Sequence, residues 1–170
     1  AAACKDGRVP ADLSVVVVPT KDCPAAQYCL EQDIPLTAIP YAAADYEDQL
    51  ASALTDIDLV CLAGFMRIVP ASIVRAFEYR MLNIHPSLLP KFGGKGMFGI
   101  RVHQAVIDAG EHESGCTVHW VTEHYDEGET ILQMRCPVHA EDTADTLRNR
   151  VLALEHIAYP LAIAQVLADA

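Results

Sequence analysis

Asn83 and His85 are the residues whose types and spacing best suit catalysis. They are two positions apart in an apolar, strand-like run, MLNIH, so both side chains project from one face. An amide donates a hydrogen bond to a developing oxyanion, and an imidazole moves a proton near neutral pH. The pair therefore suits attack on a carbonyl carbon. A lone histidine before a proline is more often a strand-end cap, and that alternative stays open.

Asp126 is the second candidate, in the acidic run HYDEG between two strand-like segments. An aspartate in a glycine-containing turn usually serves the turn itself. If the fold brings Asp126 next to His85, its carboxylate orients the imidazole and stabilises the protonated form. The sequence leaves both interpretations open.

The remaining candidates favour structural roles. His119 alternates within a strand-like run and could face either the site or the core, whereas His103 and His156 lie in helical stretches and are expected to be exposed or locally hydrogen-bonded. Ser87 lacks the G-x-S-x-G pattern of a nucleophile and is expected to be structural. No HExxH or comparable ligand spacing occurs, which predicts that no metal is bound.

Composition excludes several functional classes. The 170 residues suit one domain, and the formal net charge of −11 with only 12 Lys and Arg disfavours a nucleic-acid partner. A small anionic substrate stays compatible, because local basic residues and helix N-termini can bind a phosphate. The apolar runs 13–18 and 59–64 are much shorter than the roughly 20 residues of a membrane span. Without a signal-peptide pattern or a CxxC pair, we expect a cytoplasmic protein with buried, reduced thiols, including Cys61, Cys116 and Cys136.

Strand-like and helix-like segments alternate, which predicts an α/β fold with an open, twisted, mostly parallel sheet flanked by helices. An acidic loop joins the last two strands, and antiparallel pairing is open for them. Pro160 is expected to kink or break the final helix, which runs from Thr143 to the C-terminus. The predicted strands are 13–18, 35–40, 59–62, 81–85, 116–121 and 130–138, and the other predicted helices are 23–32, 45–55, 70–77 and 102–109.

Four motifs, AGFMRIVP, LNIHPSLLP, GCTVHWVTEHYDEGETILQ and LEHIAYPL, resemble the phosphoribosylglycinamide formyltransferase family in order and spacing, over roughly residues 4–167. The resemblance implies a Rossmann-like formyltransferase fold in a single domain, 1–170. It also implies formyl transfer from the cosubstrate 10-formyltetrahydrofolate to the amine of glycinamide ribonucleotide, in purine biosynthesis. The enzyme would be a monomer or a homodimer.

The resemblance also implies roles for particular residues. The catalytic trio corresponds to Asn83, His85 and Asp126, with Asn83 also near the substrate. Glu155 corresponds to the residue that meets the ribose of the nucleotide. The folate would lie along Met66, Arg67, Ile68 and Val69 and along the loop from Val121 to Asp126.

Two family features are missing from this sequence. The family opens with a strand and a glycine- and serine-rich turn that holds the substrate phosphate, and it carries an arginine in a longer segment after Pro40. We therefore expect an N-terminally incomplete domain that, as it stands, binds folate better than nucleotide and lacks a central strand.

Three other functions are weighed against transfer to the nucleotide. Formyltetrahydrofolate deformylase shares the chemistry but uses water as the nucleophile. A second alternative is a non-catalytic folate-binding module. Methionyl-tRNA formyltransferase is disfavoured by the net charge of −11.

Overall fold

The computed structural model describes residues 1–169. The chain divides into two compact units, Ala1–Asp58 and Leu59–Ala170. All of the predicted site residues lie in the second unit. The single domain expected from the sequence stays a prediction.

The first unit contains one pair of parallel strands, β1 and β2. The β1 strand is shorter than predicted, because Leu13 is exposed and only the last valines pair. Pro24 opens α2 at the first helical position, where its missing N–H costs nothing. The elements are α1 (Ala2–Lys5), β1 (Val16–Val18), α2 (Pro24–Glu31), β2 (Leu36–Ala38) and α3 (Tyr46–Ala53).

The second unit contains a four-stranded sheet in the order β3-β4-β5-β6. Strands β3 and β4 are parallel, while β5 is antiparallel to both β4 and β6. The α/β class is confirmed, and the last strands are antiparallel. The elements are β3 (Val60–Leu62), α4 (Ala71–Ala76), β4 (Met81–His85), α5 (Ile100–Asp108), β5 (Glu113–Trp120), β6 (Thr130–Pro137) and α6 (Ala144–Ala168).

The two faces of this sheet carry different side chains. Asn83 pairs with His119 and His85 pairs with Thr117, so these four residues share one face, which we call the polar face. The alternating residues of β4 and β5 form the opposite face, called the core face, which joins the buried cluster containing residues of α6. The cluster includes Leu82, Cys116, Val118, Val151 and Ala158.

Helix α6 is a single helix of 25 residues that continues through Pro160. The predicted break is therefore wrong. Contacts on both sides outweigh the local cost of about 3 kcal/mol for an interior proline, since Ala158 and Ala162 are fully buried and the Tyr159 hydroxyl donates to the Leu62 and Leu82 carbonyls. Thr143 caps the N-terminus, accepting from the Thr146 N–H. The prediction that the helix reaches the C-terminus includes Ala170, which lies outside the described residues.

Helix α6 is also long and apolar enough, by length and composition, to cross a membrane, with a mean hydropathy of 1.6 in its most apolar window. Helices that pack against the core of a soluble protein pass the same test, and α6 packs on β5 and β6. The absence of a membrane partner stays a prediction.

Two side chains depart from their expected environments. Cys61 is exposed, because Val60 and Leu62 alternate with it and face the other way on the edge strand β3. His103 is only 2% exposed, and its Nδ1 has no hydrogen-bond partner among the described residues, so the expected exposure or local bonding is wrong. Burial, with smaller effects from the charges of Arg148 and His85, lowers the pKa of His103 to about 4.

Candidate active site

The β4 strand brings the candidate pair to its C-terminal end. Its first residues, Met81 and Leu82, are buried, which anchors the strand in the sheet. Asn83 and His85 follow on the polar face, and Pro86 begins a loop, residues 86–99, after His85. The strand thus delivers both side chains to the sheet edge where open α/β folds bind ligands.

His85 is held between a backbone carbonyl and a carboxylate. Its Nε2 lies 2.8 Å from the Phe92 carbonyl oxygen, and its Nδ1 lies 3.5 Å from Oδ2 of Asp126. A carbonyl only accepts, so Nε2 carries the proton of the neutral imidazole. A second proton would therefore bind at Nδ1, where the carboxylate of Asp126 stabilises the resulting cation.

Two glycines, Gly94 and Gly128, help to position the Asp126 carboxylate. The Gly94 N–H donates to Oδ2 at 2.8 Å, and Oδ1 lies 3.6 Å from His119 Nε2. Gly128 allows this turn to approach β5, because a Cβ there would overlap the Trp120 carbonyl oxygen. The sequence left Asp126 between a turn role and a catalytic one. The fold brings it to His85.

The electrostatics of the pair favour a neutral imidazole beside an ionised carboxylate. Burial lowers the pKa of His85, against the opposing effects of Asp126 and the Phe92 carbonyl. Burial alone would raise the pKa of Asp126, but hydrogen bonds and charges from His119, His85 and Gly94 together hold it below its ordinary value. The resting site is therefore ready to accept a proton at His85.

His119 belongs to the site, and sequence reasoning left it undecided. Its Nδ1 lies 2.8 Å from the Trp120 carbonyl oxygen and therefore carries the proton, which leaves Nε2 to accept from the Asn83 amide at 3.1 Å. This bond orients the Asn83 amide and leaves its second N–H available. Alternation along β5 was the available signal, but only the pairing of β5 with β4 shows which face His119 occupies.

A cleft beside the trio is lined by part of the predicted folate segment. Arg67, Ile68, Val69 and Val121 line it together with Asn83, His119 and Asp126. Met66 does not line this cleft and is 61% exposed.

Glu155 is the one predicted site residue on the last helix. It is on α6, half-buried, and burial raises its pKa. Burial and, to a smaller extent, the charge of Glu155 raise the pKa of Cys116 to about 12, which puts Glu155 near the core face. Among the described residues, no hydrogen bond or ion pair joins Glu155 to Asn83, His85 or Asp126, and its role in the site stays a prediction.

Two further expectations concern Ser87 and metals. The buried Ser87 hydroxyl donates to the Lys91 carbonyl at 2.6 Å, which is a structural role. Among residues 1–169, no group of three or more His, Cys, Asp or Glu side chains is placed to hold a metal. That no metal is bound stays a prediction.

Comparisons with known proteins show which family this chain is similar to. Residues 1–163 match the sequence profile of the family described as formyl transferase. The phosphoribosylglycinamide formyltransferase of Arabidopsis thaliana, described as chloroplastic, is 44% identical over 163 residues, which is 92% of this chain and 56% of that protein. The chain thus spans about half the length of the curated relatives it matches.

Solved structures agree with the profile. The phosphoribosylglycinamide formyltransferase of Bacillus halodurans superposes with a TM-score of 0.88 at 31% identity, covering 98% of this chain and 86% of the other. A formyltetrahydrofolate deformylase of Pseudomonas syringae also gives 0.88, covering 99% of this chain and 56% of that one, but its 22% identity shows the fold alone. Since the profile match and the Arabidopsis relative both extend over nearly the whole sequence, this chain belongs to the formyl transferase family.

Proposed function

We propose that this protein transfers a formyl group from 10-formyltetrahydrofolate to the amine of glycinamide ribonucleotide, in de novo purine biosynthesis. The observation that carries the proposal is the cluster of Asn83, His85 and Asp126 at the end of β4. The name of the Arabidopsis relative supports the choice of substrate.

The proposed reaction begins with attack by the amine nitrogen on the formyl carbon. A C–N bond forms while the carbonyl π electrons move onto oxygen. Asn83 donates one amide N–H to His119, which orients the side chain. Its other N–H donates to this oxyanion and stabilises it. The amine then loses a proton, and collapse of the tetrahedral intermediate breaks the bond to the folate nitrogen, which leaves with a proton.

His85 and Asp126 handle the proton in this scheme. The lowered pKa of His85 keeps it neutral at rest, so Nδ1 accepts the proton of the amine through a water ordered by Asp126. The imidazolium then stabilises the oxyanion and returns the proton to the departing folate nitrogen. Asp126 stays ionised throughout, in keeping with its lowered pKa.

Substrate binding is proposed in two parts. The folate ring contacts Arg67, Ile68, Val69 and the loop from Val121 to Asp126, because these residues line the cleft next to Asn83. For Met66, whose side chain is exposed, we retain the folate contact as a proposal that rests on the resemblance. For Glu155 we retain a contact with the ribose as a proposal that rests on the resemblance.

Formyl transfer by the full-length natural protein tests this function, with glycinamide ribonucleotide as acceptor and a no-acceptor control. We expect transfer only when the nucleotide is present. Formate release without an acceptor would overturn the proposal in favour of a deformylase, whose fold this chain shares. Folate binding without either reaction would indicate a binding module.

The proposals on partner class, cellular location and oligomeric state are less specific. The relatives matched here are named as enzymes acting on small molecules, which supports small-molecule substrates rather than nucleic acid. The Arabidopsis relative is chloroplastic by name, so a cytoplasmic location stays a prediction. Monomer and homodimer are both compatible with the described contacts.

A further inference from the structure

The loop that follows β4 supplies a backbone group to each member of the proposed proton-handling pair. The Phe92 carbonyl oxygen lies 2.8 Å from Nε2 of His85, and the Gly94 N–H donates to Oδ2 of Asp126 at 2.8 Å. The geometry of this pair therefore depends on where residues 87–94 lie. We call these residues the 87–94 loop.

The 87–94 loop is attached to the sheet through two side chains of the polar face. The Gln133 amide donates to the Leu89 carbonyl and to Oγ1 of Thr117, both at 2.9 Å. Thr117 in turn donates to the Ser87 carbonyl at 2.7 Å and accepts from the Leu89 N–H at 3.1 Å. Both donors of the Gln133 amide are thus used in holding this loop.

The strand register puts these residues in one row. His85 pairs with Thr117 across β4 and β5, and Thr117 pairs with Gln133 across β5 and β6. Gln133 therefore lies two strands from His85 and shares its face. The route from Gln133 to His85 passes through the loop backbone and not through direct contact.

We propose that Gln133 is a positioning residue that holds the 87–94 loop so that Phe92 and Gly94 keep His85 and Asp126 in their reactive arrangement. The proposal rests on the proposed function for its kinetic consequences. Displacement of a catalytic group by about 1 Å can cost about 100-fold in rate, so two hydrogen bonds to the loop are enough to matter.

The rival interpretation is that Gln133 only fills space. Gln133 lines a cavity of about 240 Å³ next to Leu89 and Phe92, so the site has room for a methionine of similar length. Gln133→Met therefore removes the two donors while keeping the volume. Arg135→Met is the matched control, because Arg135 lies two residues along the same strand, lines the same cavity and bonds to Glu113 instead of to the 87–94 loop.

The experiment compares steady-state kinetics and the thermal transition of the two variants with the natural protein. For Gln133→Met we expect kcat to fall by about 10- to 100-fold, with KM for the folate changed by less than about 2-fold. Arg135→Met should keep kcat. Normal kcat in Gln133→Met, or a loss that only follows the fraction of unfolded protein, would overturn the proposal.

An NMR titration of the His85 ring tests the same proposal without any turnover. Burial lowers the pKa of His85, while Asp126 and the Phe92 carbonyl raise it, so a loosened loop that changes these effects should shift the titration of His85. An unchanged titration in Gln133→Met would contradict the positioning role. If the natural protein shows no formyl transfer while the titration moves, the proposed function fails and the positioning role stands.

Discussion

In strands β4 and β5, the polar face carries the proposed catalytic residues and the core face packs into the core that stabilises the fold. On the polar face, Asn83 is hydrogen-bonded to His119, both histidines contact backbone carbonyls, and Asp126 lies within 3.6 Å of each histidine. On the core face, Leu82, Cys116 and Val118 pack in one buried cluster with residues of α6. One strand thus serves both purposes, because successive side chains point in opposite directions. Changes on the two faces should therefore have separable effects.

The largest expected effect is on the polar face. Asp126→Asn keeps the shape of the side chain but removes the charge that stabilises a protonated His85, so we expect turnover to fall by about 10²- to 10⁴-fold. Folate binding and the thermal transition should change little. Glu127→Gln, in the same turn but exposed, is the control and should turn over normally. His85→Ala should give a loss of the same order, and near-normal turnover in either variant would contradict the trio.

The core face should respond in the opposite way. Leu82 is fully buried in the cluster with α6, so Leu82→Ala is expected to lower the free energy of unfolding by about 2–5 kcal/mol through lost burial and a cavity. Turnover per folded molecule should persist below the transition. Chemical denaturation and kcat on the same sample check this, and a loss of turnover in fully folded protein would mean that the two faces are not separable.

His103 sharpens the comparison, because it is a buried titratable group outside the trio. Its pKa of about 4 in the folded protein lies below its ordinary value, so the unfolded chain binds the extra proton first as pH falls. The neutral, buried His103 contributes fully to the free energy of unfolding above the pKa that it has in the unfolded chain. This contribution is lost as the pH falls from that pKa to the pKa of His103 in the folded protein. From pH 7 to 5 the loss is about 2 kcal/mol.

Thermal transitions at the two pH values test this assignment. The natural protein should lose stability between pH 7 and 5, and His103→Leu should lose less over the same interval. Equal losses in the two proteins would assign the pH dependence to other groups.

The smallest expected effect concerns His119. His119→Ala removes the acceptor that orients Asn83, so we expect kcat to fall by about 10-fold, less than for loss of the oxyanion donor itself. A double-mutant cycle isolates this role. If His119 acts through Asn83, His119→Ala should add almost nothing in an Asn83→Ala background, whereas additive losses would indicate an independent function.

Much of the local structure could be read from the sequence. The run Met81–His85 was predicted with its observed bounds, because an apolar segment ended by a proline leaves little freedom in placing the strand. The predicted helix 102–109 ends close to the observed α5, where Gly110 follows in the left-handed region at φ +66. Pro160 was misjudged, because local propensity does not include the contacts that hold α6 on the sheet.

Site residues were harder to predict where they depend on contacts between distant segments. His103 was expected to be exposed or locally hydrogen-bonded, because a helical stretch with mixed polarity does not reveal which side is covered. Gln133 ends one of the motifs that carry the resemblance, but nothing in its type or spacing indicated a contact with the loop after β4. Its hydrogen bonds reach Leu89, 44 positions away, and only the folded sheet brings them within reach.

By itself the sequence determined the alternation of strands and helices, the placing of Asn83 and His85 on one face, and a resemblance to formyltransferases. Those properties follow from side-chain period and from motifs that are contiguous in the chain. Only the tertiary structure decided that Asp126 meets His85 and that His119 faces the site. Each of these depends on the pairing and packing of segments far apart in the chain, which local physical chemistry does not specify.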